Sequence, residues 1–443
     1  ASVIRILLLG AALWQEVYGI MQLLGFRHSL HHLYTVTGSF YNPGPFGCFL
    51  ALTFPIALAE TLRGRKFMHY LGMAVLLLDA AMLPISLSRT AWIAAALGSS
   101  ILFLPELILL FRRHKILPPL AILGAILLSA TLFSLKANSA YATLLMWKVA
   151  ITAVNPRPFS GVGPEQVAGA YGEAQERYFS TPDLTQNLQQ ATTLRPEKEI
   201  LVADAPDFVF NEYLQTAIAF GWGVALILVF LLISALITAL KSGNLPIAGC
   251  VVAIMTVMMA SYPFQFPLAA TSIALILVAA FLSTTMIDIR LLGSVAAITL
   301  ILILCHPVDR MEINRNFGIG LSLHKAGKWR QSNKVMMELL PHTADPMPLN
   351  IIGKNWQQLG HPDSAALYFN RAAARCPNRL YPHYLLMKLY ADSAFFSPSK
   401  ALHEASILLN MNIKVSSPAT DDMRGEARLL INNLTDETTL KDK

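Results

Sequence analysis

The residues of this chain with a capacity for chemistry stand out because so little around them is polar. Glu16, Asp79 and Glu106 lie inside apolar runs, where a carboxyl group is costly and either serves a function or is paired within a helix bundle. Asp79, in LLLDAAML, is the most deeply placed of them. Outside the apolar runs, Gly161 and Gly163 in SGVG permit a tight turn and let backbone N–H groups approach a ligand. A plain turn satisfies the same pattern. Cys48, Cys250, Cys305 and Cys376 are too dispersed for a metal site or a CxxC pair, so neither a metal centre nor a disulfide framework is expected.

The elements that must position these residues are mostly apolar helices. The chain has 443 residues, 54% hydrophobic and only 14% charged, with a mean hydropathy of +0.50. Soluble domains carry roughly 25% charged residues, so this deficit marks an integral membrane protein. The net charge of +7 is not a nucleic-acid signal, because Lys and Arg in membrane proteins chiefly report orientation. The expected fold is all-α, with a polytopic membrane helix bundle over residues 1–306 and a soluble helical domain over 307–443. About nine segments approach the roughly 20 residues that a spanning helix needs: 3–24, 44–62, 67–86, 90–111, 116–135, 213–240, 245–261, 264–286 and 289–306. The chain opens inside an apolar helix with neither an initiator Met nor a charged leader. That pattern reads as a trimmed N-terminus rather than a signal peptide.

Arg63, Arg65 and Lys66, then Arg112, Arg113 and Lys115, then Lys241, then Arg290 fall on one side if the spans alternate. By the excess of positive charge in cytoplasmic loops, that side is cytoplasmic. The segments 25–43, 87–89, 136–212 and 262–263, with the C-terminal domain, then lie outside. The 136–212 loop, roughly 75 residues, is far longer than an ordinary connection and reads as a lid or active-site loop. Within it, residues 140–154 have apolar positions at helical spacing and are expected along the outer interface.

The C-terminal part repeats at a period of about 33 residues. Its second unit, NWQQLGHPDSAALYFNRAAARCPN, carries Trp356, Leu359, Gly360, Ala366, Ala372 and Pro377 close to the tetratricopeptide pattern, and Gly327 and Gly360 mark turns between paired helices. Such pairs stack into a short solenoid, either a docking surface for a partner or a structural cap. A further helix is expected after about Ser417, then disorder.

Taken together, SFYNPGPFGCFLALTFPIAL, SLSRTAW, MWKVAITAVNPRPFSGVGPEQVAGAYGEAQERYF and FNEYLQTAIAFGWG resemble the O-antigen ligase and polymerase superfamily of bacterial membrane glycosyltransferases. The resemblance covers roughly residues 10–286 and rests on the order and spacing of the motifs around one large loop. It implies a GT-C-like bundle in the bacterial inner membrane, with the large loop and the C-terminal domain in the periplasm. It also implies inverting glycan transfer without a metal or cofactor. The donor would be a glycan on undecaprenyl diphosphate, and the acceptor lipid A–core, another glycan chain or a protein hydroxyl.

The resemblance also suggests roles for particular residues. Fixed guanidinium groups meet phosphate oxygens through paired hydrogen bonds, and donors held in a dry site stabilise charge on a departing diphosphate. Arg89 and Arg157 best match the family's motifs, ahead of Arg27, Lys148 and Arg177. An arginine at a helix end can also simply reach the head groups. Asn42, Asn211, Gly161 and Gly163 are further candidates for contact with the donor. Tyr171 and Tyr178 either line the glycan path or pack the loop. Two positions depart from the family. Thr143 stands where relatives carry Arg ahead of the WK, and Phe210 stands where they carry His before NEYLQ. Asp204, Asp207 and Glu212 near that second position are the candidates to take over its acid or base role, and His31 and His32 in the first exterior loop could also reach the site.

Ligation to lipid A–core is the first expectation, ahead of protein O-oligosaccharyl transfer, which a peptide-binding solenoid would suit, and of glycan polymerisation. A lipid or glycan transporter is the alternative of a different class. Transporters tend to carry inverted repeats and broken helices at mid-membrane, and the sequence displays no such repeat. A membrane anchor for a solenoid scaffold would leave the long loop and its arginines without a use.

Overall fold

The computed structural model describes residues 2–31, 33–135, 137–180, 197–307, 309–414 and 416–441. Every regular element among them is a helix. The chain opens with α1 (Ser2–Leu23), α2 (Pro43–Arg63), α3 (Phe67–Ile85), α4 (Arg89–Ser100), α5 (Leu104–Arg113) and α6 (Leu117–Leu135). The loop region holds α7 (Ala137–Val154), α8 (Val167–Phe179) and α9 (Glu197–Val202). Then come α10 (Glu212–Phe220), α11 (Trp222–Lys241), α12 (Leu245–Ala260), α13 (Pro267–Phe281) and α14 (Ile287–Leu304). The chain closes with α15 (Arg310–Lys325), α16 (Trp329–Leu339), α17 (Met347–Gln358), α18 (Pro362–Arg375), α19 (Leu380–Ala391), α20 (Pro398–Asn410) and α21 (Pro418–Lys441).

These helices form two compact units. One holds Ala1–Lys136 and Phe210–Val308, the other Ala137–Val209 and Asp309–Lys443. The sequence groups the loop at 136–212 with the membrane helices. Packing instead groups residues 137–209 with the C-terminal helices, for reasons visible only in three dimensions.

Among the described residues, six helices of the first unit are long and apolar enough to cross a membrane: Ser2–Leu23, Pro43–Arg63, Phe67–Ile85, Arg89–Arg113, Trp222–Lys241 and Ile287–Leu304. The rod Arg89–Arg113 joins α4 to α5 through the tight turn Ile101–Phe103. The expected span at 213–240 is two helices, because Gly221 adopts φ +85° between α10 and α11. The helices α12 and α13 are apolar but only 16 and 15 residues long, short of the roughly 20 that a full crossing takes.

The centre of this unit is α2, started by Asn42, whose Oδ1 accepts the Gly44 N–H at 3.0 Å. Pro43 at the first helical position is already set for helix and forfeits no hydrogen bond. Small residues let helices meet closely here. A Cβ on Gly98 would lie 2.7 Å from the Gly249 carbonyl oxygen, and one on Gly249 would lie 2.4 Å from that of Gly98, with Pro55 of α2 against both. Close backbone approach replaces the hydrophobic drive that helices lack within lipid.

The helices alternate, so this unit has two ends. At one, Arg5 Nη1 donates to Glu60 Oε1 at 2.8 Å and Asn244 Nδ2 donates to Ser283 Oγ at 2.8 Å. Arg63, Arg65, Lys66, Arg112, Arg113, Lys115, Lys241 and Arg290 lie in the last turn of a helix, between helices or in a first turn at this same end. The other end gathers the starts of α2, α4, α10 and α13 and the ends of α1, α3 and α12.

In the second unit, each C-terminal helix packs on the next along the chain, from α15 through α21. Gly327 (φ +72°) and Gly360 (φ +78°) turn the chain between α15 and α16 and between α17 and α18, where a left-handed residue closes a helix at least cost when it is glycine. Phe369, Leu386, Leu389 and Ala401 fill one core of the stack. The loop helix α8 lies against α18 and the turn Leu340–His342.

Candidate functional site

The SLSRTAW motif is a built corner between α3 and α4. Ser86 Oγ donates to the Leu83 carbonyl at 2.7 Å, and the Trp92 indole N–H donates to the same carbonyl at 2.8 Å. Leu87 is forced into left-handed geometry at φ +50°, which a side chain like leucine adopts only when its surroundings dictate it. Ser88 then caps α4 by accepting the Ala91 N–H at 3.3 Å. Arg89 is therefore the first residue of a helix, half-buried, where the helix dipole adds positive potential to its own charge. Gly47 of α2 allows this corner to seat, since a Cβ there would lie 2.4 Å from Ser86 Oγ. Cys48 Sγ, one residue on, lies 3.8 Å from Ser88 Oγ.

A second corner precedes α10. Phe210 is left-handed at φ +52° and its ring meets Tyr262 edge-on, with centroids 4.9 Å apart. Asn211 caps α10, its Oδ1 accepting the Leu214 N–H at 3.0 Å while its Nδ2 donates to the Met259 carbonyl at 3.2 Å. Glu212 is buried, and its Oε2 accepts the Phe264 N–H at 3.3 Å. Burial pushes this carboxyl up to about 8, with the Phe264 N–H opposing the shift, so at neutral pH it is largely protonated.

A row of aromatic rings ties these corners together. Phe210 meets Tyr262, Tyr262 lies 5.8 Å from Phe266, and Phe266 packs edge-on at 5.0 Å against Phe40 of the segment between α1 and α2. Phe40 in turn contacts Phe46 and Phe49 of α2. Three sequence motifs, SFYNPG, SLSRTAW and FNEYLQ, thus converge at one end of the first unit. The segment Ser261–Phe266 between α12 and α13 forms part of this end, although the sequence suggests only a break in an apolar run. Its signal is the pair Pro263 and Pro267 bracketing aromatic residues.

The remaining candidates lie in the second unit. Arg157 is exposed in the turn after α7, where the Gly161 N–H donates to the Arg157 carbonyl at 3.0 Å. Gly161 and Gly163 take φ +66° and +94°, so both are required by the turn itself. Tyr171 does not line an open path. It is 1% exposed and its hydroxyl donates to Gln175 Oε1 at 2.8 Å, which makes it core. Tyr178 donates to Glu199 Oε2 at 2.7 Å, and Lys148 sits over its ring and pairs with Glu199 at 3.1 Å. That is the loop-packing alternative. Asp207 pairs with Arg310 at 3.0 Å. Burial alone would raise the Asp204 carboxyl, but Lys414, the Ala205 N–H and Arg379 hold it below the ordinary carboxylate range. Of the three acids near Phe210, only Glu212 belongs to the first unit.

Other sequence candidates take plainer places. Glu16 of α1 and Asp79 of α3 are both buried and lie close together, but among the described residues their carboxyl oxygens make no hydrogen bond. Glu106 is exposed in the first turn of α5. Arg27 lies over the Tyr18 ring at 5.8 Å, His31 packs against Tyr34, and Arg177 is exposed on α8. His32 lies outside the described residues. Thr143 donates to the Ser139 carbonyl within its own helix at 2.9 Å. Among the described residues no group of three or more His, Cys, Asp or Glu side chains is placed to hold a metal ion. No family model, curated protein or solved structure matches the chain.

Proposed function

We propose that this chain is a membrane glycosyltransferase that moves a glycan from undecaprenyl diphosphate to an acceptor hydroxyl on the periplasmic face, with lipid A–core as the acceptor. The observation that carries the reading is the convergence of SFYNPG, SLSRTAW and FNEYLQ at the end of the first unit opposite its basic residues. There Arg89 opens α4, and a guanidinium at a helix N-terminus is suited to a diphosphate. As the glycosidic C–O bond to the donor breaks, charge grows on the departing diphosphate. Arg89 and the helix dipole stabilise that charge without having to reorganise.

The acceptor hydroxyl must lose a proton as it attacks. Relatives in the suggested superfamily carry a histidine at the position of Phe210, so another group must take that role here. Glu212, two residues on, is the acid of the first unit at this corner, and its ionised fraction, which grows as pH rises towards about 8, would accept that proton. Arg157 is the second arginine selected by the resemblance and is carried by a glycine-shaped turn of the second unit. The C-terminal helix pairs are read as tetratricopeptide-like.

The test uses purified protein in detergent with an undecaprenyl-diphosphate glycan, excess chelator, and lipid A–core or a hydroxyl-bearing protein as acceptor. Chelator-resistant transfer to lipid A–core supports the reading. Transfer only to protein hydroxyls would reassign the acceptor. Dependence on ATP or on an ion gradient, or movement of the donor without bond formation, would overturn it.

A further inference from the structure

The second unit contains a partly buried charge cluster, built on one fully buried arginine, that joins parts of the chain nearly two hundred residues apart. Glu176 of α8 accepts from Arg371 Nε at 2.6 Å and from Arg375 Nη2 at 3.0 Å. Arg375 is wholly buried, and a buried ion pair left with one partner is strongly destabilised. The surrounding contacts are equally specific. Gln175 donates to the carbonyls of Arg375 and Asp204, and Asn378 donates to those of Leu201 and Ala203. Backbone meets backbone as well. A Cβ on Gly169 would fall 2.0 Å from the Pro341 carbonyl oxygen, and one on Gly172 would fall 2.9 Å from Ala344 Cα. The face of the helix stack formed by α18 and the turn Leu340–His342 is thus taken by residues 167–179.

We propose that Glu176 is a positioning residue for the Arg157 turn, and that this face of the C-terminal stack is the scaffold of the chain's own loop rather than a docking surface for a partner. Arg157 and the two turn glycines lie between α7 and α8, and α8 packs on both α7 and α18. Fixing α8 through Glu176 therefore fixes one end of the turn that carries Arg157. The link from Glu176 to activity rests on the glycan-transfer reading. The latch itself does not.

Two measurements on full-length protein in detergent separate these claims. The first is amide hydrogen exchange in the wild type, in Glu176→Gln, and in the charge exchange Glu176→Arg with Arg371→Glu. The expected result is exchange about a hundred-fold faster over 167–179 and 197–205 in Glu176→Gln, unchanged rates in α2 and α12, and partial recovery in the charge exchange. Unchanged exchange over 167–179 in Glu176→Gln would overturn the latch whatever the protein's activity. The second is glycan transfer by Glu176→Gln, Arg157→Ala and the double variant. If Glu176 acts through Arg157, the double variant is no slower than Arg157→Ala alone, and Glu176→Asp regains part of the rate. Additive losses would overturn the positioning role. If the wild type transfers no glycan, the function reading fails and hydrogen exchange alone decides the latch.

Discussion

Replacing Glu212 by glutamine should change how stability depends on pH while leaving the fold intact. Glu212 is 3% exposed and accepts the Phe264 N–H at 3.3 Å. Its carboxyl is pushed from an ordinary 4.5 to about 8, chiefly by burial. A folded-state value above the unfolded one means that the native protein binds the proton more tightly. The corresponding stability is fully present below about 4.5 and is lost as pH rises towards about 8. At 1.36 kcal/mol per pH unit, that interval corresponds to a loss on the order of 5 kcal/mol. The substituted amide keeps the shape of the protonated acid but cannot ionise. Thermal unfolding in detergent between pH 5 and pH 8.5 should therefore give similar midpoints for the two proteins at the acid end, with E212Q the more stable at the alkaline end. Equal pH slopes for wild type and variant would refute the assignment of a buried, neutral carboxyl at this position.

Other expectations follow from contacts that tolerate little change. Gly169→Ala should weaken the second unit by about 1–3 kcal/mol or more, because its Cβ would fall on the Pro341 carbonyl oxygen. The same change at Gly425, where a Cβ meets nothing within 4 Å, should be neutral or stabilising, and limited proteolysis of the two variants compares them directly. Trp92→Phe leaves the Leu83 carbonyl without the indole N–H, with an expected cost of about 1 kcal/mol and a lower unfolding midpoint. Gly221→Ala places a Cβ on a residue at φ +85° and should cost about 1–3 kcal/mol, read as faster amide exchange in α10.

Much of this architecture is legible in the sequence because it depends on local rules. Asn42 followed by Pro43 announces the start of α2, Gly327 and Gly360 announce the turns of the C-terminal helix pairs, and the basic clusters announce the alternation of the apolar helices. Other features depend on what the rest of the chain brings near. The apolar run through Gly221 looks continuous because hydropathy says nothing about a single φ angle. Tyr171 and Tyr178 have the composition of a ligand path, but Gln175 and Glu199 engage their hydroxyls. Glu176 reads as one acid on a polar loop, and its partners Arg371 and Arg375 as basic residues on a repeat helix. No periodicity joins positions so far apart, so the assignment of the loop to the C-terminal unit was out of reach. At the candidate site, the motifs were visible while their meeting was not, since the row Phe210, Tyr262, Phe266 and Phe40 links separate stretches of chain.

The most direct measurement is glycan transfer from an undecaprenyl-diphosphate donor by wild type, Arg89→Lys and Arg89→Ala, with amide exchange confirming that α3 and α4 remain folded. A guanidinium that stabilises the departing diphosphate should be worth roughly 100-fold or more in rate, with lysine recovering only part because it cannot pair with two oxygens at once. Transfer that continues at the wild-type rate in a folded Arg89→Ala protein would contradict it.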